Sequence, residues 1–417
     1  MSAENKTSRI SGFYKLGVKK RMNKVKKFAE LSDEEVGILQ EKGISLKEAG
    51  RMIENVIGKI QIPLGIATNF LINDKDYLIP MATEEPSVVA AASNAARMIR
   101  EGGGFKASSD EPIMIGQIQL IAKKPEEAKE KILANKEKIL SLANEQDFVL
   151  VDLGGGAKDL EVRILNNGML IIHLLVDVRD AMGANVVNTM CEHVSPLIEE
   201  VTRGKVYLRI LSNLATKRMA RAEVSISADA LGGSKTVDSI ILAYEFADAD
   251  PYRAVTHNKG VMNGISAVAL ATGNDTRAVE AGIHAYASLE GRYRPVSHWS
   301  KDDKGNLTGR IEIPLAVGTF GGATMNPVAR AAMKILGVKT AQELAEVMAS
   351  VGLAQNLAAI RALSTEGIQK GHMSLHAMNI AAMAGAEGEQ INKIAEILIN
   401  ENNIKVSRAK ELLEAKK

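Results

Sequence analysis

The run Asp250-Pro-Tyr-Arg-Ala-Val-Thr-His-Asn-Lys-Gly-Val-Met-Asn-Gly264 is soon followed by a second polar stretch, Thr272-Gly-Asn-Asp-Thr-Arg-Ala-Val-Glu280. Together they hold two cations, Arg253 and Lys259, the carboxylate of Asp275, and side-chain amides among small residues that cannot fill a core. This composition predicts a positioned loop that binds one anion and stabilises another as it forms. A polar surface loop with solvated charges is the alternative that these residues alone leave open.

Five further blocks accompany His257-Asn-Lys-Gly-Val-Met-Asn-Gly264 and Gly273-Asn-Asp275. They are Glu54-Asn-Val-Ile-Gly58, Glu84-Glu-Pro-Ser-Val-Val-Ala-Ala-Ala-Ser93, Asp180-Ala-Met-Gly-Ala-Asn185, Val317-Gly-Thr-Phe-Gly-Gly322 and Gly371-His-Met-Ser-Leu-His376. In this order, and over almost the whole chain, the blocks resemble the 3-hydroxy-3-methylglutaryl-CoA reductase family. The Glu-Glu-Pro-Ser form, without a membrane anchor, resembles the soluble class II enzymes (HMG-CoA reductases) of archaea and bacteria.

The bulk properties agree with a soluble enzyme. With 417 residues and 46% hydrophobic content, the chain is expected to form about two or three domains. A net charge of +2 argues against a general nucleic-acid binder, and the basic residues from Lys15 to Lys27 are either a solvated helix face or a contact for CoA phosphates. The single Cys191 excludes an intrachain disulfide and is expected to be inert. No signal-peptide core and no apolar run of about 20 residues is found, so we expect a cytoplasmic protein that binds no membrane.

The first hundred residues predict helices around one strand pair. Ser32-Asp-Glu-Glu35 and Ser45-Leu-Lys-Glu48 are capping boxes, each of which starts a short helix. Residues 65–72 and 77–81 alternate as a strand pair, and Pro86 is expected in the first turn of an alanine-rich, central helix that ends near Gly102.

Residues 112–211 follow the order strand, helix, strand, strand, helix, strand, which is typical of a ferredoxin-like βαββαβ unit. The first helix is predicted over 125–144 and the second over 182–201, with a possible extra strand at 147–151. We therefore predict an α+β fold. Residues 1–111 and 223–370 form a large, helix-rich CoA-thioester-binding domain, 112–222 an inserted NAD(P)-binding domain, and 371–417 a C-terminal helical flap.

The resemblance assigns the catalytic residues. Lys259 would stabilise the carbonyl oxygen, Asp275 would hold that lysine charged and oriented, and Glu85 would act as an acid. By pattern alone, Lys259 is equally a surface lysine, Asp275 a turn residue, and Glu85 one of two acidic residues that favour a helix start.

His372 would protonate the departing CoA thiolate. His376 lies four residues later and could form a metal pair with it, but the resemblance and the lack of a third ligand favour no metal. For the substrate, Arg253 would clamp the free carboxylate with help from Ser87 and Asn263.

The block with Glu54 and Asn55 would bind the substrate or shape its pocket. His257 is either a structural hydrogen-bonding residue or a contact of the site. A Rossmann domain is not expected, because no Gly-x-Gly-x-x-Gly follows a first strand.

The resemblance instead places NADH or NADPH on the inserted domain, at the start of its second helix. The contacts would come from Asp180, Met182, Gly183, Asn185 and, with less support, Asn213. Gly154-Gly-Gly156 is either a tight turn or a close approach to the cofactor.

The implied reaction is the four-electron reduction of HMG-CoA to mevalonate and CoA, in a homodimer, with a hexamer built from such dimers as the larger alternative. A catalytically silent CoA-binding scaffold and a reductase of a related acyl-CoA thioester are the alternatives.

Overall fold

The computed structural model describes residues 6–321, 326–365 and 368–415, with the backbone alone for 368–375. Its first helices are α1 (Val18–Ala29), α2 (Asp33–Gly37) and α3 (Leu46–Met52). Both predicted capping boxes are confirmed. The hydroxyl of Ser32 accepts from the N–H of Glu35, whose carboxylate accepts from the N–H of Ser32, and Ser45 forms the same pair of bonds with Glu48.

The predicted strand pair is confirmed as the antiparallel strands β1 (Leu64–Ile72) and β2 (Lys75–Ala82). Helix α4 (Val88–Glu101) then passes through the core and ends at Gly102, as expected. Pro86 does not lie in its first turn. Ser87 caps the helix in a left-handed conformation with φ 72°, so the first helical residue is Val88.

The inserted unit contains four strands and four helices. Strand β3 (Lys106–Ser109) precedes it, and its own elements are β4 (Ile113–Ile121), α5 (Pro125–Ala134), α6 (Lys136–Asn144), α7 (Phe148–Asp152), β5 (Gly156–Ile164), β6 (Leu170–Asp177), α8 (Ala184–Thr202) and β7 (Lys205–Ser212). The sheet order is β5-β6-β4-β7, with antiparallel neighbours. The predicted order of strands and helices is confirmed.

Two details of this unit were predicted wrongly. The first helix is interrupted at Asn135, whose side-chain amide donates to the carbonyl of Lys131 and competes with the helix. The apolar run 147–151 forms α7 instead of a strand, because the Asp147 carboxylate accepts from the N–H of Leu150 and caps a helical turn.

The chain then returns to the first unit. The elements are β8 (Met219–Ile226), α9 (Ala228–Leu231), α10 (Ser234–Ala249), α11 (Pro251–Ala271), α12 (Thr276–Tyr286), β9 (Ser297–Lys301), β10 (Leu307–Pro314), α13 (Pro327–Leu336) and α14 (Ala341–Ser364). The strands form a second four-stranded sheet, β3-β8-β10-β9. Helices α4, α11 and α14 share one apolar core with this sheet and with the β1–β2 pair.

Three helices end the chain: α15 (Ile368–Met383), α16 (Glu389–Asn400) and α17 (Val406–Glu414). Their buried side chains, among them Ala381, Ile394, Leu398 and Ala409, form a small core of their own. The inserted unit also has its own buried cluster. The predicted domain boundaries stay predictions, and the one between 222 and 223 falls inside β8.

One helix is longer and more apolar than the sequence patterns suggested. Helix α14 has 24 residues and a mean hydropathy of 1.2 over its most apolar window, which is enough in length and composition to cross a membrane. Of that window, 67% is buried inside the protein. Its apolar character is therefore explained by its position in the core.

Candidate active site

The stretch that holds Lys259 is helical, so the predicted loop is wrong. The side chain of Asp250 accepts from the N–H of Tyr252 and Pro251 occupies the first turn, which starts the 21-residue helix α11. Small residues serve helix packing here. A Cβ on Gly264 would stand 3.0 Å from the side chains of Gln355 and Val351 on α14, so glycine lets the two helices approach.

Helix α11 carries one polar stripe. Lys259, Asn263 and Ser266 are spaced by four and three residues, which places them above one another on the same side of a helix, while Val261, Met262 and Ile265 are buried. The lysine and the two polar side chains therefore face the same direction.

Glu85 meets this stripe from the loop between β2 and α4. One carboxylate oxygen accepts from Lys259 Nζ at 2.6 Å and the other from Asn263 Nδ2 at 3.3 Å. Both carboxylate oxygens are thereby held by groups one helical turn apart. The Lys259 and Glu85 side chains remain 56% and 37% exposed, so the pair is open to a ligand.

The structure distinguishes the two adjacent glutamates. The N–H of Glu85 donates to the hydroxyl of Thr83 at 3.2 Å, which turns its side chain toward α11, whereas Glu84 is exposed. Ser87 follows in its left-handed conformation, and its hydroxyl makes no capping bond to α4. A non-glycine residue at positive φ is uncommon and often marks a functional site.

Asp275 lies at the start of α12 and not in contact with the lysine. Its Oδ1 accepts from the N–H groups of Arg277 and Ala278 at 3.0 and 3.1 Å and caps the helix. Within the described ranges, no bond from Asp275 to Lys259 is found, and the second carboxylate oxygen has no hydrogen bond. The interpretation of Asp275 as a turn residue therefore explains Oδ1, which caps α12, but gives no role to the second carboxylate oxygen.

Arg253 also lies on α11, but six residues before Lys259, which is about 120° away around the helix. Burial lowers the pKa of its guanidinium, and it has no carboxylate partner among the side chains the structure describes. A partly buried cation without a counter-ion suits an anionic ligand.

Three other predicted residues are not brought to this cluster. Glu54 and Asn55 lie in an exposed segment before β1, and neither contacts Glu85 or Lys259 in the parts of the chain described. His372 lies within α15, and its side chain is outside the described residues. So is Gly322 from the glycine-rich block.

The predicted cofactor block precedes α8, which begins two residues later than expected. Gly183 caps the helix with φ 96°, and a Cβ there would stand 2.5 Å from Val178. Met182 lies just before the helix, and Asn185 is exposed in its first turn. The first N–H groups of a helix lack partners within it, so this end can receive an anion such as a pyrophosphate.

A second segment lies against this block. The N–H groups of Thr319 and Phe320 donate to the carbonyl of Asp180 at 2.8 and 3.3 Å, and a Cβ on Gly318 would stand 2.5 Å from the nitrogen of Met182. The blocks at Asp180 and Val317 are therefore one structural unit, although more than a hundred residues separate them.

Two residues that hold this unit together were missed by sequence reasoning. Arg218 is 4% exposed and donates to the carbonyls of Ala181 and Val317. Burial lowers its pKa to about 10, so it is still charged at neutral pH. Asn274 accepts from the N–H of Gly318 at 2.8 Å. Arg218 carried no local motif, whereas Asn274 stood beside Asp275 in a quoted block.

Asn213 is exposed after β7, and its carbonyl lies against α12, where a Cβ on Gly282 would approach it to 2.5 Å. Gly154 and Gly156 have φ angles of 84° and 93° and form a tight turn, in which a Cβ on Gly154 would meet Arg179 and one on Gly156 would meet Asn144. Close packing therefore explains these two glycines without a cofactor.

A cavity of 1270 Å³ runs along α4 away from Glu85. One wall is the face of α4 with Val89, Ser93 and Arg97, and the other includes Lys19 of α1. The lining is mainly apolar with cations among it. In the described part of the chain, no group of His, Cys, Asp and Glu is placed to hold a metal ion.

Comparison with known proteins relates this geometry to a family. The model of the family described as hydroxymethylglutaryl-coenzyme A reductase matches residues 17–377. The 3-hydroxy-3-methylglutaryl-coenzyme A reductase of Archaeoglobus fulgidus is 59% identical over 413 residues, which cover 98% of this chain and 94% of that protein.

Solved structures agree. The corresponding reductase of Streptococcus pneumoniae has a TM-score of 0.83 at 40% identity, with 98% of this chain and 99% of that one covered. A class II reductase from the same organism, bound to NADPH in open conformations, gives 0.82 at 40% identity, with 96% and 99% covered.

Proposed function

The chain belongs to the hydroxymethylglutaryl-coenzyme A reductase family, and we infer from this that it reduces HMG-CoA to mevalonate and CoA. The balanced reaction consumes two nicotinamide hydrides and two protons per thioester. The first hydride gives a hemithioacetal oxyanion, which collapses to an aldehyde as the CoA thiolate leaves, and the second reduces the aldehyde. The observation that carries the proposal is the contact of Lys259 with Glu85 and Asn263.

In this proposal Lys259 stabilises the substrate oxygen. Its ammonium is fixed by Glu85 on an open face of α11, so an incoming carbonyl would meet a positioned cation whose attraction grows as negative charge develops. Glu85 contacts Lys259 directly, and in this proposal it would act as the acid for the same oxygen when it carries a proton. These paired groups argue against a silent scaffold.

Asp275 and His372 complete the proposed catalytic set. The role of Asp275 beside Lys259 is supported by its second carboxylate oxygen, which makes no hydrogen bond among the described residues. This role requires the side chain to move toward Lys259 from its present position as the cap of α12. His372 would protonate the CoA thiolate, and its support is the family motif alone.

The substrate would be held at two ends. Arg253 would pair with its free carboxylate, assisted by Ser87 and Asn263, and the absence of a described counter-ion for Arg253 supports this. Glu54 and Asn55 would reach the substrate from an exposed segment. The cavity along α4 has both apolar and polar lining residues and so suits the pantetheine arm with its amide groups. Lys19 on its wall favours the phosphate-contact interpretation of the basic cluster.

The cofactor would be NADH or NADPH, with its pyrophosphate at the start of α8, near Asp180, Met182, Gly183, Asn185 and Asn213. Gly183 fits this group, because a side chain there would clash and the helix start offers free N–H groups. When bound, the cofactor supplies the hydride. The relative solved with NADPH supports NADPH as one acceptable cofactor.

The proposal includes a homodimer in the cytoplasm. Ile57 and Ile60, in the segment after Glu54, are 100% and 94% exposed, together with Ile53. Several isoleucines in water over a short segment indicate a partner surface. A second copy is its proposed occupant, and a hexamer would be built from such dimers.

Lys259→Ala tests the proposed function. Because Lys259 stabilises charge that forms only in the transition state, we expect turnover to fall ~100-fold or more while the affinity for HMG-CoA changes by at most a few-fold. Turnover is followed by the loss of cofactor absorbance, and affinity by calorimetry.

The matched control is Lys301→Ala, which removes another half-exposed lysine from an ion pair, with Asp238 at 2.6 Å. It should leave turnover unchanged. Near-normal turnover of the Lys259 variant would remove this lysine from the mechanism.

A further inference from the structure

A chain of hydrogen-bonded side chains links α11 to α12 and to the loop that follows. The Ser266 hydroxyl donates to Glu280, whose other oxygen lies 3.0 Å from His284 Nε2. His284 Nδ1 lies 2.6 Å from the Tyr293 hydroxyl, and the Asn258 side chain on α11 donates to the carbonyl of the next residue, Arg294, at 2.8 Å.

Both ends of this network lie on α11, on either side of the turn that holds Lys259 and Asn263. Asn258 immediately precedes the lysine and is fully buried, and its amide also bonds to the carbonyl of Arg294 and the N–H of Val296. Ser266 is the next member of the polar stripe after Asn263. The network therefore spans the segment that contacts Glu85.

The Glu280 carboxylate sets the direction of the hydrogen bonds around a neutral His284 ring. The bonds from His284 and Ser266 lower the pKa of Glu280, so its carboxylate is ionised at neutral pH and only accepts. Nε2 of His284 must then donate, and in the neutral ring Nδ1 accepts from the hydroxyl of Tyr293.

We propose that Glu280, His284 and Tyr293 are positioning residues, which fix the rotation and height of α11 so that Lys259 and Asn263 meet the reacting oxygen. They touch neither substrate nor cofactor and act through Asn258 and Ser266. The proposal rests on the catalytic role inferred for Lys259. Small displacements of a catalytic group cost rate because the transition state requires a narrow geometry.

Tyr293→Phe tests this directly, since it removes only one hydroxyl. We expect kcat to fall ~10-fold, while KM for HMG-CoA and for NADPH each stay within ~3-fold, as is typical when a supporting bond to a catalytic group is lost. A role in stability alone would lower the melting temperature and leave kcat per folded site unchanged.

Tyr286→Phe is the control. It removes a hydroxyl at the end of α12 that donates to Glu312 of β10 at 3.2 Å and makes no bond to α11 among the described residues. It should leave kcat unchanged. Equal kcat values for the two variants would overturn the proposal. So would a loss of kcat/KM in the Tyr293 variant that comes entirely from a higher KM.

Glu280→Gln keeps the side-chain shape but replaces an acceptor by an amide that can donate to His284. With the amide nitrogen toward His284, the tautomer of the ring reverses and the Tyr293 hydroxyl has to accept instead of donate. We expect a loss in kcat of at least the same size, and no further loss when both substitutions are combined, because one network is broken once.

If the fold loss in kcat of the double variant equalled the product of the two single losses, the substitutions would act independently and the proposal would be overturned. Its failure would leave the Lys259→Ala result standing, whereas full activity of Lys259→Ala would remove from the mechanism the lysine on which this proposal rests.

Discussion

At the residue scale, neighbours decide what a side chain can do. Glu84 and Glu85 have the same chemistry, but only Glu85 is turned to Lys259. Histidines differ in the same way. His284 is half-exposed between a carboxylate and a phenol, whereas His257 is buried next to Ser297 with its Nδ1 unpaired. The structure therefore supports the structural interpretation of His257.

The environment of His257 predicts a pH dependence of stability. Burial first, and then the nearby charge of Arg253, lowers its pKa from 6.5 to about 3. Between these values the unfolded chain binds a proton that the folded protein does not, so stability falls as the pH drops below 6.5. His257→Gln should flatten the slope by up to ~1.4 kcal/mol per pH unit.

The slope is measured by urea unfolding at several pH values between 5 and 7.5. His193→Gln, which removes an exposed ring on α8, controls for the loss of an imidazole as such. An unchanged slope in the His257 variant would contradict the assignment of a neutral, buried ring.

At the element scale, α12 joins the proposed catalytic and cofactor regions. Its first residue is capped by Asp275, its side chains Glu280 and His284 bond toward α11, and Gly282 lies against the carbonyl of Asn213. A short helix thereby fixes the distance between the stripe of α11 and the inserted unit.

Gly282→Ala should disturb this contact, because a Cβ would stand 2.5 Å from the carbonyl oxygen of Asn213 and the backbone must shift. We expect KM for NADPH to rise several-fold, with a smaller change in KM for HMG-CoA. Gly50→Ala, at a helical glycine with open space around it, is the control and should change neither. Steady-state kinetics with each substrate varied will show whether the effect is confined to the cofactor.

At the scale of the whole molecule, an apolar segment next to Glu54 is left without cover. Ile57 and Ile60 are exposed to water, and Ile57 belongs to the family block that begins at Glu54. In the proposed homodimer, a second copy would bury them and bring Glu54 and Asn55 to an active site.

The double variant Ile57→Asp, Ile60→Asp should therefore reduce the mass found by light scattering to that of a monomer and lower turnover, because charges would have to be buried in the dimer contact. Leu133→Asp, a single exposed leucine on α5, is the control and should keep the wild-type mass. A fully active wild-type monomer at assay concentration would contradict the proposed homodimer.

The sequence by itself determined the local structure and the family. The capping boxes, the strand pair and the order of strands and helices in the inserted unit depend on contacts between near neighbours, so their patterns are visible in the chain. The family motif also selected Glu85 and Lys259, which the structure places in contact.

Only the tertiary structure decided the rest. The small residues around Lys259 predicted a loop, but they lie in a helix and let α14 pack against Gly264, and this partner is distant in sequence. Arg218 and the network from Ser266 to Tyr293 carry no local signal for the same reason, and the family block that contains Asn274 did not indicate its bond to Gly318. Their roles depend on distances between elements, and those distances are set by packing, which the periodicity of one segment does not encode.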